Sequence, residues 1–414
     1  MRAIIENAEI SGTAKLPSSK SLTHRALICA MLADSVSTIY NVTYSDDILA
    51  TISCIKALGA QVKSEEDKII VTGINNAFNQ IVSNELDANE SASTLRFFIP
   101  LVSLTGQEIT IKGKESLFKR PLDTYNNIIQ KYSNKVIVNK KIEAKEYKIK
   151  GDISSQFISG LMFSLPLLED DSYINVQEPF ESSSYVYMTI AILKEFGINI
   201  KVINKNKFFI KGKQKYKSED YYLEKDFSQA AFYIALGMFY PLVIPNLNLN
   251  SIQGDKAILD IIKSLNGKFY FNNNDLITEP SELSKGIIDI KDCPDLGPIL
   301  MALVSFIKGS TKIINVKRLR YKESNRILSM QEELKKFNVS MYVMDNEILI
   351  EGGNSLFSGE ELMCHNDHRI CMALVLMGLI VQEDVIIDGI ECINKSYPSF
   401  FDDLKKLGAK IILE

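Results

Sequence analysis

Ala57-Leu58-Gly59-Ala60-Gln61-Val62 reads as a junction at which a lysine-bearing amphipathic helix stops at a glycine and a short alternating strand begins at once. Glycine or asparagine is what a left-handed helix C-cap needs. The same junction recurs at Tyr132-Ser133, Phe196-Gly197, Leu265-Asn266, Phe337-Asn338 and Leu407-Gly408. The breaker positions 59, 133, 197, 266, 338 and 408 differ by 74, 64, 69, 72 and 70. A spacing this regular is the signature of an internal repeat.

Working outward from each junction, a second kind of helix appears, apolar almost all round and opening on a polar cluster. These helices are predicted to begin near Lys20, Ser91, Ser155, Asp226, Asp295 and Asp367, at intervals of 71, 64, 71, 69 and 72. Both patterns therefore share a unit of about seventy residues, and six copies account for the chain. Each copy reads as strands, one buried helix and one amphipathic helix, with the amphipathic helix covering a sheet whose other face rests on the buried one. Three copies per domain give an α/β protein of two similar domains.

Bulk composition agrees with two cores. The chain has 414 residues, 46% of them hydrophobic, and a single core stops growing at roughly 250 to 300 residues. With 47 Lys+Arg against 51 Asp+Glu, a formal charge of -4, a general nucleic-acid binder is not expected, since that class carries a basic excess. The six cysteines are scattered, most of them in apolar stretches, and no secretory leader is recognised. A disulfide framework is therefore not expected and a reducing cytoplasm is. No apolar run reaches the roughly 20 residues of a membrane span, so no membrane partner is expected.

A helix that is apolar on every side belongs inside a domain, and its polar N-terminus then needs a ligand, water or a cap. Each such end carries about half a positive charge and free N–H groups, so several aimed at one place make an anion site even in an acidic protein. Lys20, Ser21 and Arg25 stand at the head of the first apolar helix, where burying a charge without a partner is costly. Arg96, Arg120 and Arg369 invite the same reading. Any one of these arginines alone would read as a structural ion pair; together they favour a site. The densest cluster is Arg318-Leu319-Arg320-Tyr321-Lys322-Glu323-Ser324-Asn325-Arg326. It is expected to follow a strand at Thr311–Val316 and to place Lys322, Glu323 and Arg326 within one helical turn. The run Cys364-His365-Asn366-Asp367-His368-Arg369-Ile370-Cys371 has metal-like Cys and His spacing. Cys371 falls on an apolar helix, however, and no metal site is expected.

The strings S-K-S-x-x-H-R from Ser19, S-S-Q-F from Ser154, P-D-L-G-P from Pro294, R-Y-K-E-S-N-R from Arg320, N-D-H-R from Asn366 and K-S-Y-P-S-F-F from Lys395 follow one another in that order. In that order they resemble the 5-enolpyruvylshikimate-3-phosphate synthase family of enolpyruvyl transferases over nearly the full chain. The resemblance implies two domains, each of three repeated βαβαββ-type units, joined by a double-crossover hinge. The boundaries are expected to give a C-terminal-half domain of 1–18 plus 227–414 and an N-terminal-half domain of 19–226. The opening strand, Ala3 to Leu16, would pair with the C-terminal half, and two thin connections would allow closure on ligand binding.

The same resemblance implies transfer of the enolpyruvyl group of phosphoenolpyruvate to the 5-hydroxyl of shikimate 3-phosphate, with no metal or organic cofactor. It places Ser21, Arg25, Ser154, Ser155, Gln156, Ser182, Tyr185, Asp295 and Lys322 about shikimate 3-phosphate. Lys20, Ala92, Arg120, Gln156, Arg326, Arg369 and Lys395 would surround phosphoenolpyruvate, and Asp295, Glu323, Lys20 and Lys322 would be catalytic. Planar guanidinium forks suit carboxylate and phosphate, while hydroxyls and an amide suit a sugar-like ring. The chain departs from the family where Glu90-Ser91-Ala92-Ser93 replaces the common Asn-Ala-Gly-Thr. The methyl group of Ala92 implies tolerance of glyphosate, and Glu90 is not expected to touch substrate. Transfer to UDP-N-acetylglucosamine is the nearest alternative, but that family usually has an asparagine after the first lysine, where Ser21 stands. It also usually carries a reactive cysteine in the loop where Gly106 to Leu122 has none. A non-catalytic anion-binding scaffold would not require both Asp295 and Glu323. A cytoplasmic monomer is expected.

Overall fold

The apolar helices span Lys20–Leu32, Ala92–Ser103, Ser155–Ser164, Phe227–Leu236, Gly297–Ser305 and His368–Ile380. The structure, a computed structural model, describes residues 1–353, 359–381 and 383–414. Every residue of Phe227–Leu236 and of Gly297–Ser305 is buried. These sequences have no polar stripe to turn toward water, so the only stable place for them is inside a core.

The chain divides into two compact units: a central one, Ser18–Glu224, and a terminal one made of Met1–Pro17 with Lys225–Glu414. Each has its own hydrophobic core. Local bonding sets the division. Ser18 uses its backbone N–H and its hydroxyl on Thr43 Oγ1, which keeps it in the central unit rather than the terminal one. Lys225 Nζ donates to Leu16 O, and Asp226 N to Pro17 O, which keeps both in the terminal unit.

Among the described residues the strands form six four-stranded sheets of one design. In the central unit the first sheet runs Tyr221–Tyr222, Val36–Tyr40, Lys68–Thr72, Gln61–Ser64, with the first pair parallel and the others antiparallel. The sheets built on Ile109–Lys112 and on Ser172–Gln177 repeat that order. In the terminal unit the sheets built on Leu242–Ile244 and Gly309–Ile314 do the same. The sixth sheet takes its third strand from the start of the chain: Leu362–Met363, Val385–Asp388, Arg2–Glu6, Lys410–Leu413. Each unit is thus closed by a strand from its far end, Tyr221–Tyr222 in one and Arg2–Glu6 in the other.

The breaker residues Gly59, Gly197, Asn266, Asn338 and Gly408 have φ of 106°, 80°, 66°, 56° and 98°, the left-handed caps that the junctions require. Ser133 does not behave this way. It lies in the turn between the antiparallel strands Ile129–Lys131 and Lys135–Val138. Where the second repeat was expected to carry an amphipathic helix there is only a short helix, Glu115–Phe118, and a 3-10 turn, Asp123–Tyr125. Pro121 between them offers no N–H to continue a helix and biases its predecessor toward extended backbone.

Three further expectations are corrected. The opening segment is two strands, Arg2–Glu6 and Gly12–Thr13, in two sheets of the terminal unit. The outer face of the sheets is wet rather than covered by the amphipathic helix: Val36, Val202, Tyr270, Tyr342 and Ile412 are exposed, as an antiparallel sheet allows. Helices such as Asp46–Ala57 and Ser183–Glu195 pack beside buried helices instead. Lastly, the strand expected at Thr311–Val316 is Gly309–Ile314, and Lys322 and Glu323 are not helical. A 3-10 segment, Lys317–Tyr321, precedes them and the helix starts at Arg326, capped by Asn325.

Candidate active site

In the central unit the N-terminal ends of three buried helices are tied together by side chains. Arg25, in the second turn of Lys20–Leu32, donates from Nε to Thr189 Oγ1 at 2.8 Å and from its terminal nitrogens to Ser21 O at 2.7 Å, Tyr185 O at 3.2 Å and Ser159 Oγ at 3.5 Å. Its guanidinium also lies over the Phe97 ring. Burial pushes Arg25 down to about 10, so it remains a cation at neutral pH, held by neutral oxygens. Arg96, from Ala92–Ser103, reaches Gln156 Oε1 at 2.8 Å, Ser154 Oγ at 3.5 Å and Pro121 O at 3.0 Å. Gln156 Nε2 donates in turn to Ser93 Oγ at 2.9 Å.

These bonds gather Ser154, Ser155, Gln156, Ala92 and the Arg120-Pro121 loop around one end of the helical core. Ser154 caps the helix Ser155–Ser164, and Ser91 caps Ala92–Ser103 by accepting from Thr94 N. Ala92 is then the first helical residue, so its methyl sits where the free N–H groups are. Arg120 is buried and its carbonyl accepts from Lys131. Ser182, at a left-handed φ of 52°, immediately precedes the helix Ser183–Glu195 that carries Tyr185 and makes no side-chain cap bond to it. Lys20 is paired with Asp47 at 2.6 Å. Glu90 accepts from Lys114 and Ser116.

The terminal unit gathers a different chemistry. Asp295 Oδ1 accepts from Lys322 Nζ and from Arg326 at 2.9 Å each, and Oδ2 accepts from Arg369 at 3.3 Å. Arg326 is 1% exposed and also reaches Glu323 Oε2 at 2.7 Å and Asp367 Oδ2 at 2.8 Å. Asp367 is itself the cap of His368–Ile380, accepting from Arg369 N at 3.0 Å. Lys395 Nζ donates to Asn366 O at 2.7 Å. The sequence-predicted Asp295, Lys322, Glu323, Arg326, Arg369 and Lys395 thus sit on or beside one network that spans the fifth and sixth repeats. Burial pushes Asp295 up, but the charges of Arg369, Lys322 and Arg326 prevail and hold it well below the usual carboxylate range. Lys322 is lowered by burial, with Asp295 opposing.

Sequence reading did not find Asp47, Thr189, Asp255 or the ion-pairing role of Asp367. Asp255, from the fourth repeat, accepts a hydrogen bond from Ser228 at the head of Phe227–Leu236. Burial first, and then the charge of Asp295, push it up to about 6. Asp255 is thus within electrostatic reach of Asp295 and Arg369, and the three buried helices of this unit pack on one another. An acidic residue at the start of a helix-capping segment was the available signal for Asp255 and Asp367, and capping alone explains it equally well.

The family model described as EPSP synthase (3-phosphoshikimate 1-carboxyvinyltransferase) matches residues 4–404. The chain belongs to the EPSP synthase family. The 3-phosphoshikimate 1-carboxyvinyltransferase of Clostridium beijerinckii is 42% identical over 417 aligned positions, covering 97% of this chain and 96% of that one. That of Clostridium botulinum is 41% identical over 414, with the same coverage. Among solved structures, EPSP synthase from Acinetobacter baumannii covers 100% of both chains at a TM-score of 0.82 and 21% identity. The enolpyruvyl transferase NikO from Streptomyces tendae covers 99% of this chain and 98% of its own, with a TM-score of 0.79 and 16% identity. These structural likenesses establish the two-domain α/β fold, and the sequence relatives establish the family. Among the described residues no helix is long and apolar enough to cross a membrane.

Proposed function

We propose that this EPSP synthase family member transfers the enolpyruvyl group of phosphoenolpyruvate to the 5-hydroxyl of shikimate 3-phosphate and releases phosphate. The observation that carries the reading is the grip of Lys322, Arg326 and Arg369 on Asp295. It puts an ionised carboxylate among three cations drawn from two repeats, as a reaction between two anionic substrates needs.

In this reading Ser21, Arg25, Ser154, Ser155, Gln156, Ser182 and Tyr185 hold shikimate 3-phosphate. The hydroxyls and amide address the ring, and Arg25, whose acceptors are neutral oxygens, supplies positive charge for the phosphate. Lys20, Arg120, Gln156, Arg326, Arg369 and Lys395 hold phosphoenolpyruvate, with Ala92 packed against it. Asp295 and Lys322 touch the ring hydroxyl.

The chemistry is an addition followed by an elimination. The 5-hydroxyl oxygen bonds to C2 of the enol while its proton passes to Asp295, and the C3 methylene gains a proton from the Glu323 and Lys20 side. The tetrahedral adduct then loses one C3 proton and expels phosphate, which regenerates the double bond. A carboxylate held down by three cations is a weak base. When the substrate anions share Arg326 and Arg369, that restraint relaxes and Asp295 becomes more basic where it is needed. The cations also stabilise the leaving phosphate. Action in the cytoplasm, in line with six free cysteine thiols, goes with this reading, and the enzyme is proposed to act as a monomer.

Phosphate release from phosphoenolpyruvate, measured with either shikimate 3-phosphate or UDP-N-acetylglucosamine as acceptor, tests the assignment. Turnover with shikimate 3-phosphate alone is expected. Turnover with the nucleotide sugar alone, or with neither acceptor, overturns the reading.

A further inference from the structure

Three of the cysteines meet in the terminal unit. Cys364 follows the strand Leu362–Met363, Cys371 lies in the first turn of His368–Ile380, and Cys392 is in the 3-10 segment Ile390–Lys395. All three are buried, and their Sγ atoms lie within 4.8 Å of one another. Buried cysteine is often a small apolar filler, and one alone would carry no inference. Three sulfurs converging from three separate elements are different. A metal bound by thiolates at about 2.3 Å in a plane of three sets its sulfurs about 4 Å apart. The existing cluster needs less than about 1 Å of contraction to reach that spacing.

The cluster also backs onto the candidate active site. Cys364 O accepts from Asp367 N at 2.9 Å, and Cys371 N donates to Asp367 O at 3.0 Å. Between them His365 and Asn366 turn the chain with φ of 50° and 53°. Asn366 O holds Lys395, three residues beyond Cys392. Drawing the sulfurs together therefore pulls on the backbone of Asp367, whose carboxylate grips Arg326 at 2.8 Å.

We propose that Cys364, Cys371 and Cys392 form a thiolate site for a soft d10 metal ion of the zinc(II), cadmium(II) or copper(I) class, and that filling it inhibits the enzyme. Soft thiolates select such ions. On binding, three S–H bonds become three sulfur–metal bonds and the protons go to solvent, with no change of oxidation state. Ion binding stands independently of the functional reading; the inhibition rests on it.

The test is an anaerobic titration of the reduced full-length protein with cadmium(II) chloride, read by thiolate-to-metal charge-transfer absorption and, in parallel, by phosphate release. One ion per chain should saturate the absorption, and turnover should fall by about tenfold or more, since small displacements at a catalytic centre are costly. Excess chelator should reverse both. Cys392→Ser and Cys371→Ala should each lose the absorption while keeping turnover, and Cys54→Ala, outside the cluster, should behave as the parent. No saturable absorption, or an equal signal in Cys392→Ser and Cys371→Ala, overturns the site; so does a Cys364–Cys392 or Cys364–Cys371 disulfide formed by mild oxidant in protein that shows no cadmium signal. Saturable absorption with unchanged turnover overturns the inhibition. If no acceptor supports phosphate release at all, the functional reading fails and the absorption still decides the metal site.

Discussion

Arg25 and Arg326 are both buried guanidiniums near the head of a helix, and their surroundings are opposite in kind. Arg25 in the central unit is held by Thr189, Ser159 and the carbonyls of Ser21 and Tyr185, and burial lowers it. Arg326 in the terminal unit is held by Asp295, Glu323 and Asp367; burial lowers it too, but the three carboxylates prevail and raise it. A cation with neutral partners keeps its attraction for an incoming anion. One matched by carboxylates instead fixes the charge state and orientation of those carboxylates. In the proposed reading this contrast divides labour by degree: the central unit's Arg25 and hydroxyls bind shikimate 3-phosphate, while the terminal unit adds restrained carboxylates for proton transfer to the cations it lends to phosphoenolpyruvate.

The contrast would break most severely at Arg326. Arg326→Gln leaves Asp295, Glu323 and Asp367 without their shared cation, and breaking a buried ion pair costs about 3–5 kcal/mol. Urea unfolding should show that loss, together with absent turnover; an unchanged midpoint would show that the three carboxylates do not depend on Arg326. Arg25→Gln should act on binding instead, raising KM for shikimate 3-phosphate by about 10- to 100-fold with a smaller effect on kcat. A fall in kcat at constant KM would move Arg25 out of the binding role.

Ala92 sharpens the comparison from the central side. Its methyl stands at the first residue of the helix Ala92–Ser103, which the proposed reading sets against phosphoenolpyruvate. One methyl against a ligand is worth about tenfold or more. Ala92→Gly should therefore lower the glyphosate inhibition constant by that factor, and equal constants for the two forms would remove Ala92 from the site.

The smallest effect concerns pH and the terminal unit. Asp255 is pushed up to about 6 in the folded protein by burial and by Asp295, whereas unfolded it ionises near the ordinary carboxylate value. Between about pH 4 and pH 6 the folded chain then binds more protons at this position than the unfolded chain, so stability falls as pH rises through that window and levels off above it. Asp255→Asn removes that dependence. Its stability relative to the parent should grow by on the order of 1 kcal/mol from pH 4 to pH 7; a difference that is constant with pH would contradict the assignment.

The repeat was legible because its punctuation is chemical. Gly59, Gly197, Asn266, Asn338 and Gly408 occupy left-handed caps that few other residues tolerate. Ser133 failed because spacing alone was followed there, while Pro121 had already ended the helix. The candidate site was legible where charge stands at the head of an apolar helix, as at Lys20, Arg25 and Arg369, since burial of charge demands a partner. The partners were harder to see. Asp47 lies 27 residues from Lys20, and Thr189 lies 164 from Arg25; nothing local marks a carboxylate or hydroxyl that meets its cation only through the fold. Spacing alone puts Lys322 and Glu323 on a helix with Arg326, but Asn325, with the ordinary capping chemistry of asparagine, starts that helix only after them.

The division of labour is tested most directly by Asp295→Asn, which keeps the shape of the carboxylate and removes its charge. Phosphate-release turnover should fall by about 100- to 10,000-fold, while shikimate 3-phosphate, titrated calorimetrically, should bind within a few-fold of the parent affinity. Near-parental turnover, or a loss of binding as large as the loss of rate, would contradict the account.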